Sequence, residues 1–281
     1  MHPHEAEPAH LFPSSRKLVI GMLHLLPLPG SEDYRGGGLG PILERARREA
    51  STLADGSIDA IMLQNTGDLP PARDGEPETI AAMSVIGAAL RREVACPLGV
   101  NVLANGAVAS LAIAQAIEAS FVRIKVYVGA VVTTEGLLAG AAKEALTFRR
   151  RIGAEQIAIM ADVYDRTSAP VGDMPIAVAA DLALRHGHAD AAIVTGYSVE
   201  DSLARIRDIK AAIPGAVVLA GGGTTAENVG QFLACCDGVV VGSSIKDTGQ
   251  FVGTVDPARL AAYMEAVAVA RGACRRDDVC A

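Results

Sequence analysis

The chain has no surplus of positive charge. Its 25 Lys and Arg stand against 32 Asp and Glu, a formal net charge of −7 over 281 residues. Binding along a nucleic-acid backbone needs concentrated positive charge, so a generic nucleic-acid role is not expected. One local basic pocket for a phosphorylated small molecule remains compatible with that balance. Long apolar runs are also missing: each apolar stretch is strand-length and interrupted by Gly or polar residues, so no membrane span is expected. The cysteines, Cys96, Cys235, Cys236, Cys274 and Cys280, form no C-x-x-C pair and have no zinc-like spacing with histidine. Neither a disulfide framework nor a structural metal follows from them. Cys274 and Cys280 lie on a polar tail and are expected as reduced thiols, which fits a cytoplasmic setting. Met1–Ser15 has histidines, prolines and acids where a signal peptide has a basic patch and an apolar run. No HExxH, GxSxG or Walker pattern occurs, and no cofactor is expected.

What the chain does have is alternation. Eight apolar, β-branched runs fall at 17–25, 60–65, 97–103, 121–127, 156–163, 191–196, 216–221 and 238–243. Near-continuous apolar runs of this length suit parallel strands covered on both faces. Between them lie segments with helical spacing, among them Pro41–Ala54, Glu78–Val94, Ala107–Ala119, Leu137–Ile152 and Asp201–Ile213, with Pro257–Arg271 after the last strand. Strands alternating with helices imply βαβ units, and eight units in about 250 residues predict one closed (β/α)8 TIM barrel. A doubly wound open sheet would want its glycine fingerprint after the first strand; here the glycine-rich turn follows the seventh. The expected division is a lead-in over 1–16, a barrel over 17–272 and a polar tail over 273–281.

Two turns stand out. Gly221, Gly222, Gly223 and Thr224 run directly from the seventh strand, and Gly242, Ser243 and Ser244 close the eighth. Glycines let backbone N–H groups approach an anion closely, and paired turns after strands seven and eight are the recurrent phosphate grip of this barrel. The alternative is that the glycines only make tight βα turns. Thr224 and Glu227 have capping-box spacing, which predicts a helix start just after the glycines. Lys246 either supports the bound charge or is a solvated lysine.

The other strand ends carry polar residues. His24 is either a general acid or base near neutral pH or a histidine hydrogen-bonded within the core. Asp162 ends an apolar run, where burial should shift its pKa. Arg123 and Lys125 share one strand face and need carboxylate or ligand partners if they point inward. Pairing with Asp162 is the expected solution, as a salt bridge or as a catalytic pair. Asn65, Asp68, Asn101 and Thr195 are expected to bind substrate, or else to cap turns. A metal site from His24, Asp68 and Asp162 has no support from spacing.

The segments GMLHLLPLPG (21–30), DAIMLQNTGDLP (59–70), LGVNVLAN (98–105), FVRIKVYVGA (121–130), ADV (161–163) and GGGTTAENV…DGVVVGSSIK (221–246) resemble the BtpA/SgcQ family from about Lys17 to Tyr263. That resemblance implies a barrel of the ribulose-phosphate-binding type, and the family takes its name from a proposed role in photosystem I accumulation. The chain departs from the family pattern at three places. Gln64-Asn65 stands where many members have Glu-Asn. Asp162-Val163-Tyr164-Asp165-Arg166-Thr167 lacks the family's Lys-His pair. Thr195-Gly196 leads into Tyr197 without a second Thr-Gly step. The three departures beside an intact phosphate grip suggest a changed substrate or reaction, or else a loss of activity, and the leading expectation is an enzyme acting on a phosphorylated sugar or nucleotide-like molecule. His24 and Asp162 would handle protons, and Arg123 or Lys125 would stabilise negative charge. Isomerisation, C–N or glycosidic cleavage and aldol-type chemistry all remain open, with Lys125 as a conceivable Schiff-base nucleophile. The rival is a non-enzymatic assembly factor that keeps a ligand-binding barrel. Homo-oligomers are expected for such barrels.

Overall fold

The computed structural model describes residues 16–277. All eight predicted strands form: β1 (Leu18–His24), β2 (Ala60–Gln64), β3 (Leu98–Asn101), β4 (Phe121–Ile124), β5 (Ala158–Val163), β6 (Ala191–Val194), β7 (Val218–Ala220) and β8 (Gly238–Val241). Each pairs in parallel with its neighbours, and β8 returns to β1 with Leu18 opposite Gly238. The chain is a (β/α)8 TIM barrel. Its helices are α1 (Gly40–Asp55), α2 (Pro77–Glu93), α3 (Ala107–Ala116), α4 (Ala142–Arg151), α5 (Ile176–Asp181), α6 (Val199–Ala212), α7 (Val229–Leu233) and α8 (Pro257–Asp277).

Strand side chains alternate, so every strand feeds two separate apolar layers. One set plugs the barrel: Ile20, Met22, Met62, Phe121, Met160, Ile193, Leu219 and Val240 among others. The other set, including Val19, Leu23, Ile61, Leu63, Val122, Ile159 and Val239, packs outward against the helices. Near-complete burial of both layers removes a large apolar area from water, at about 25 cal/mol per Å². The plug also fixes a floor. The next inward residue on each strand stands on it and faces the mouth.

Two expectations differ from the structure. Leu137–Ile152 was expected as one helix, but α4 begins at Ala142, and Gly136–Ala139 instead pairs antiparallel with Ala130–Thr133. The alternation explains it: Val131 and Leu138 pack inward with Ala104 and Val126, while their neighbours Val132 and Leu137 face out. A two-residue turn at Thr134–Glu135 closes the hairpin and hands the chain to Gly136 at φ +94°. Ala169–Pro170 adds a third strand. Secondly, α8 continues past Arg271 to Asp277. The lead-in over 1–15 and the last residues, 278–281, lie outside the described residues, and so does any pairing of Cys274 with Cys280. Among the described residues, no helix is long and apolar enough to cross a membrane.

Candidate functional site

Counting two residues up from the plug gives one inward residue per strand: His24, Gln64, Asn101, Arg123, Asp162, Thr195, Gly221 and Gly242. Five of these, His24, Gln64, Arg123, Gly221 and Gly242, line a cleft of about 570 Å³ at the carboxyl ends of the strands, with Asn101, Asp162 and Thr195 behind them. The rest of both glycine turns, Gly222–Thr225 and Ser243–Ser244, lines it too, together with Arg166, Arg259 and Tyr263. Active sites of this fold occupy the same end.

The glycine turn after β7 is shaped by close approach. A Cβ on Gly221 would lie 2.3 Å from Thr195 Oγ1 and 2.6 Å from Ile193 Cγ2, so no larger residue fits there. Gly223 has φ +76°, a conformation that L side chains resist. The capping box expected of Thr224 and Glu227 does not form. Asn228 braces the turn instead, accepting from Thr225 N at 2.8 Å and donating to Gly223 O at 3.0 Å. Consequently α7 starts only at Val229. Thr224 is buried and accepts a hydrogen bond from Tyr263 Oη at 2.9 Å, which leaves its own hydroxyl proton for another partner. In the second turn, the Ser244 hydroxyl is buried with no hydrogen-bond partner among the described residues. A buried unsatisfied hydroxyl is costly, on the order of 1–3 kcal/mol, and a ligand oxygen would relieve it.

Two arginines also enter the cleft, Arg166, expected only as part of the altered rim, and Arg259, which the sequence did not point to. Arg166 lies beside the glycine turn, its Nη1 3.8 Å from where a Gly223 Cβ would stand, and Arg259 comes from the first turn of α8. Neither guanidinium has an ion-pair or hydrogen-bond partner among the described residues. Arg259 had no local signal, since it reaches the cleft only through the docking of α8. Lys246 belongs to neither of its two predicted settings. It is fully buried, with Nζ on Glu49 Oε2 at 2.8 Å and on Gly253 O at 2.9 Å.

His24 is half-buried beside Gly242, with Nδ1 3.1 Å from Phe251 O and the Phe251 ring edge-on at 6.5 Å. A carbonyl only accepts, so Nδ1 carries the proton and Nε2 keeps a free lone pair. Burial, and then the charges of Lys246, Arg123 and Arg45, lower its pKa to about 4 against the pull of the Phe251 carbonyl. The ring is therefore neutral at pH 7, a hydrogen-bond acceptor and a weak base.

Arg123 and Asp162 form the expected pair in bidentate geometry, Nε to Oδ1 and Nη2 to Oδ2, both at 2.8 Å. Burial works against the Arg123 guanidinium, but the charge and hydrogen bonds of Asp162 outweigh it and hold the group above its ordinary value. Burial likewise pushes the Asp162 carboxyl upward. Both Asp162 oxygens are taken, and the residue stands behind Arg123 without lining the cleft. The structure thus presents it as a holder of Arg123 and not as a free proton carrier. Lys125 does not line the cleft either; its Nζ lies 3.6 Å from Asp165.

Gln64 donates to Asn101 Oδ1, accepts from Thr66 Oγ1 at 2.6 Å, and is the strand-two residue that meets the cleft. Asn101 in turn donates to Arg123 O at 2.9 Å. Asn65, one residue on, has the opposite parity and points away from the cleft. Its Oδ1 accepts from Leu103 N and its Nδ2 donates to Asp68 Oδ2, while Asp68 Oδ1 accepts from Leu28 N. Asn65 and Asp68 therefore tie the loops after β1, β2 and β3 together, the turn-bracing alternative expected of them. Burial raises the Asp68 pKa. Thr195 is buried against Gly221. Strand alternation, applied from Met62, identifies Gln64 and excludes Asn65. Among the described residues, no group of three His, Cys, Asp or Glu side chains is placed to hold a metal ion.

A model of the BtpA family matches residues 15–269. The photosystem I biogenesis protein BtpA of Synechocystis sp. is 37% identical over 254 residues, 89% of this chain and 88% of that protein. The putative sgc region protein SgcQ of Escherichia coli is 32% identical, covering 90% of this chain and 95% of the other. Among solved structures, Mycobacterium tuberculosis tryptophan synthase superposes with a TM-score of 0.61 at 14% identity, over 94% of this chain and 99% of that chain. That likeness is one of fold alone. The two sequence relatives and the match over nearly the whole barrel settle the membership: this chain belongs to the BtpA family.

Proposed function

We propose that the cleft binds a phosphorylated sugar or nucleotide-like molecule and that the protein is an enzyme acting on it by general acid–base chemistry. The observation that carries this reading is the orphaned Ser244 hydroxyl in a cleft walled by two glycine turns and two uncommitted arginines. A phosphate placed there would take hydrogen bonds from Ser244, from Thr224 and from backbone N–H groups, with Arg166 and Arg259 supplying charge. The unpaired Nε2 of His24 would then serve as the proton acceptor for the substrate. Arg123, held rigid by Asp162, would stabilise negative charge developing on the substrate. Asp162 keeps a positioning role in this reading, and Lys125 remains a cation behind the cleft.

The test is titration calorimetry with inorganic phosphate and ribose 5-phosphate. Ser244→Ala and Arg259→Ala are each expected to weaken ribose 5-phosphate binding by about tenfold, the scale of one charge-assisted hydrogen bond. Unchanged affinity in both variants would remove the phosphate from this cleft. Turnover that persists undiminished in His24→Gln would remove His24 from the chemistry.

One observation favours the second reading, an assembly role of the kind named for the Synechocystis relative. The outward face of the small antiparallel sheet exposes Val132, Leu137 and Val171 at 51%, 57% and 58%. Adjacent exposed apolar side chains of this size mark contact surfaces. A homo-oligomer built on that face predicts that Val132→Lys with Leu137→Lys lowers the sedimentation coefficient without altering phosphate binding.

A further inference from the structure

A second cavity, of about 270 Å³, opens on the other side of His24, between the loops after β1 and β2 and the loop 249–253. Its walls are mostly apolar: Leu25, Leu26, Pro27, Leu69, Phe251 and Val252. Three of these, Leu69, Phe251 and Val252, are exposed at 43%, 38% and 56% around a single concavity, which leaves apolar surface uncovered at one spot. Two contacts join this cavity to the cleft. The His24 ring lines both, and Thr66, in the second cavity, donates to Gln64, in the first. The loop carrying Phe251 and Val252 is held in place by Arg45, whose Nη2 donates to Val252 O at 2.9 Å and to Gly253 O at 2.7 Å. The apolar wall is therefore preformed, as ligand sites usually are.

We infer that the two cavities take one bipartite ligand: a phosphate monoester whose far end is a planar heteroaromatic ring with its faces among Leu69, Phe251 and Val252 and the linking atoms under His24. This rests on the phosphate reading of the cleft and adds the substrate class. A bare sugar phosphate would fill the cleft and leave the second cavity empty. A nucleoside-monophosphate-like ester has a polar middle for Gln64 and Arg123, and a planar base whose apolar faces suit Leu69, Phe251 and Val252 while its polar edge can meet Asp33, Arg45 or Thr66 in the same cavity. The space equals about nine waters at their liquid volume of about 30 Å³, enough for one ring system. The position of His24 between the two chambers then places its free Nε2 at the junction between the sugar and the ring.

Titration calorimetry on the full chain with inorganic phosphate, ribose 5-phosphate, adenosine 5′-monophosphate and uridine 5′-monophosphate tests this. At least one nucleotide is expected to bind about tenfold or more tightly than ribose 5-phosphate. Leu69→Asp and Val252→Asp change exposed side chains on two different loops. Each is expected to erase that advantage while leaving ribose 5-phosphate affinity as it is. Ribose 5-phosphate binding with no gain from either base overturns the bipartite ligand and spares the phosphate site. A gain that survives both variants overturns it as well, because the ring then sits elsewhere. Failure of every phosphate probe to bind overturns both this inference and the reading beneath it.

Discussion

A histidine whose Nδ1 is committed to a carbonyl and whose surroundings hold three cations has little reason to accept a second proton. The Phe251 carbonyl fixes the tautomer of His24, and burial with Lys246, Arg123 and Arg45 keeps the ring neutral down to about pH 4. The unfolded chain protonates the same ring near its ordinary value of 6.5. Between those two points the unfolded state binds more protons, so this contribution to stability is complete above about pH 6.5 and is lost as pH falls towards 4. Its size is at most about 3 kcal/mol. Urea denaturation at pH 7 and pH 4 should show a smaller stability loss on acidification in His24→Gln than in the parent. Equal losses would mean that the ring is as easily protonated folded as unfolded. At the same scale, the parity of a strand decides which amide lines the cleft: Gln64 does and Asn65 does not, although the two are adjacent.

At the scale of elements, the loop 247–254 is held by an ion cluster on α1. Lys246, immediately after the 3-10 turn Ser243–Ile245, reaches Glu49 on α1, and Arg45, one turn earlier on α1, closes the triad onto Glu49 at 2.8 Å. Burial lowers the Lys246 pKa, with the Glu49 charge opposing it. Removing one member of a buried pair leaves the other charge short of a partner, which costs about 3 kcal/mol even with Arg45 remaining. Lys246→Met is therefore expected to lower the unfolding free energy by about that amount, and adding Glu49→Gln should recover part of it in chemical denaturation. Because Gly253 O also loses one of its two donors, Arg45 keeping the other, the loop bearing Phe251 should loosen, and amide exchange of residues 248–253 should quicken. Unaltered exchange would show that Arg45 alone anchors the loop.

For the whole molecule, closure matters at the end opposite the cleft. Asp59, just before β2, accepts from Val19 N at 2.8 Å, meets Arg16 at 2.5 Å, and pairs with Arg271 of α8, which also donates to Lys17 O. One carboxylate thereby links the start of the barrel to its last helix. Asp59→Ala is expected to cost about 2 kcal/mol and to lower Tm by roughly 4–8 °C, with phosphate affinity unchanged because the cleft lies across the barrel. A simultaneous loss of binding in this variant, measured by calorimetry below its Tm, would show that the two ends are coupled.

Eight apolar runs spaced by helical segments were enough to read the barrel, because strand and helix periods are local properties of the chain. The two glycine turns were legible for the same reason: tight turns and close approach are written in single residues. The sequence also carried the Arg123–Asp162 partnership, since charges buried on neighbouring inward faces need one another. It misread Leu137–Ala139, where helical spacing and a short hairpin share the same apolar residues and packing on Ala104 and Val126 chose the strand. Only the tertiary structure could bring Arg259 to the cleft, bury Lys246 on Glu49, commit both Asp162 oxygens to Arg123, and set a mostly apolar cavity beside His24. Each of these depends on side chains far apart in the chain meeting in space, and such meetings leave no period and no local motif.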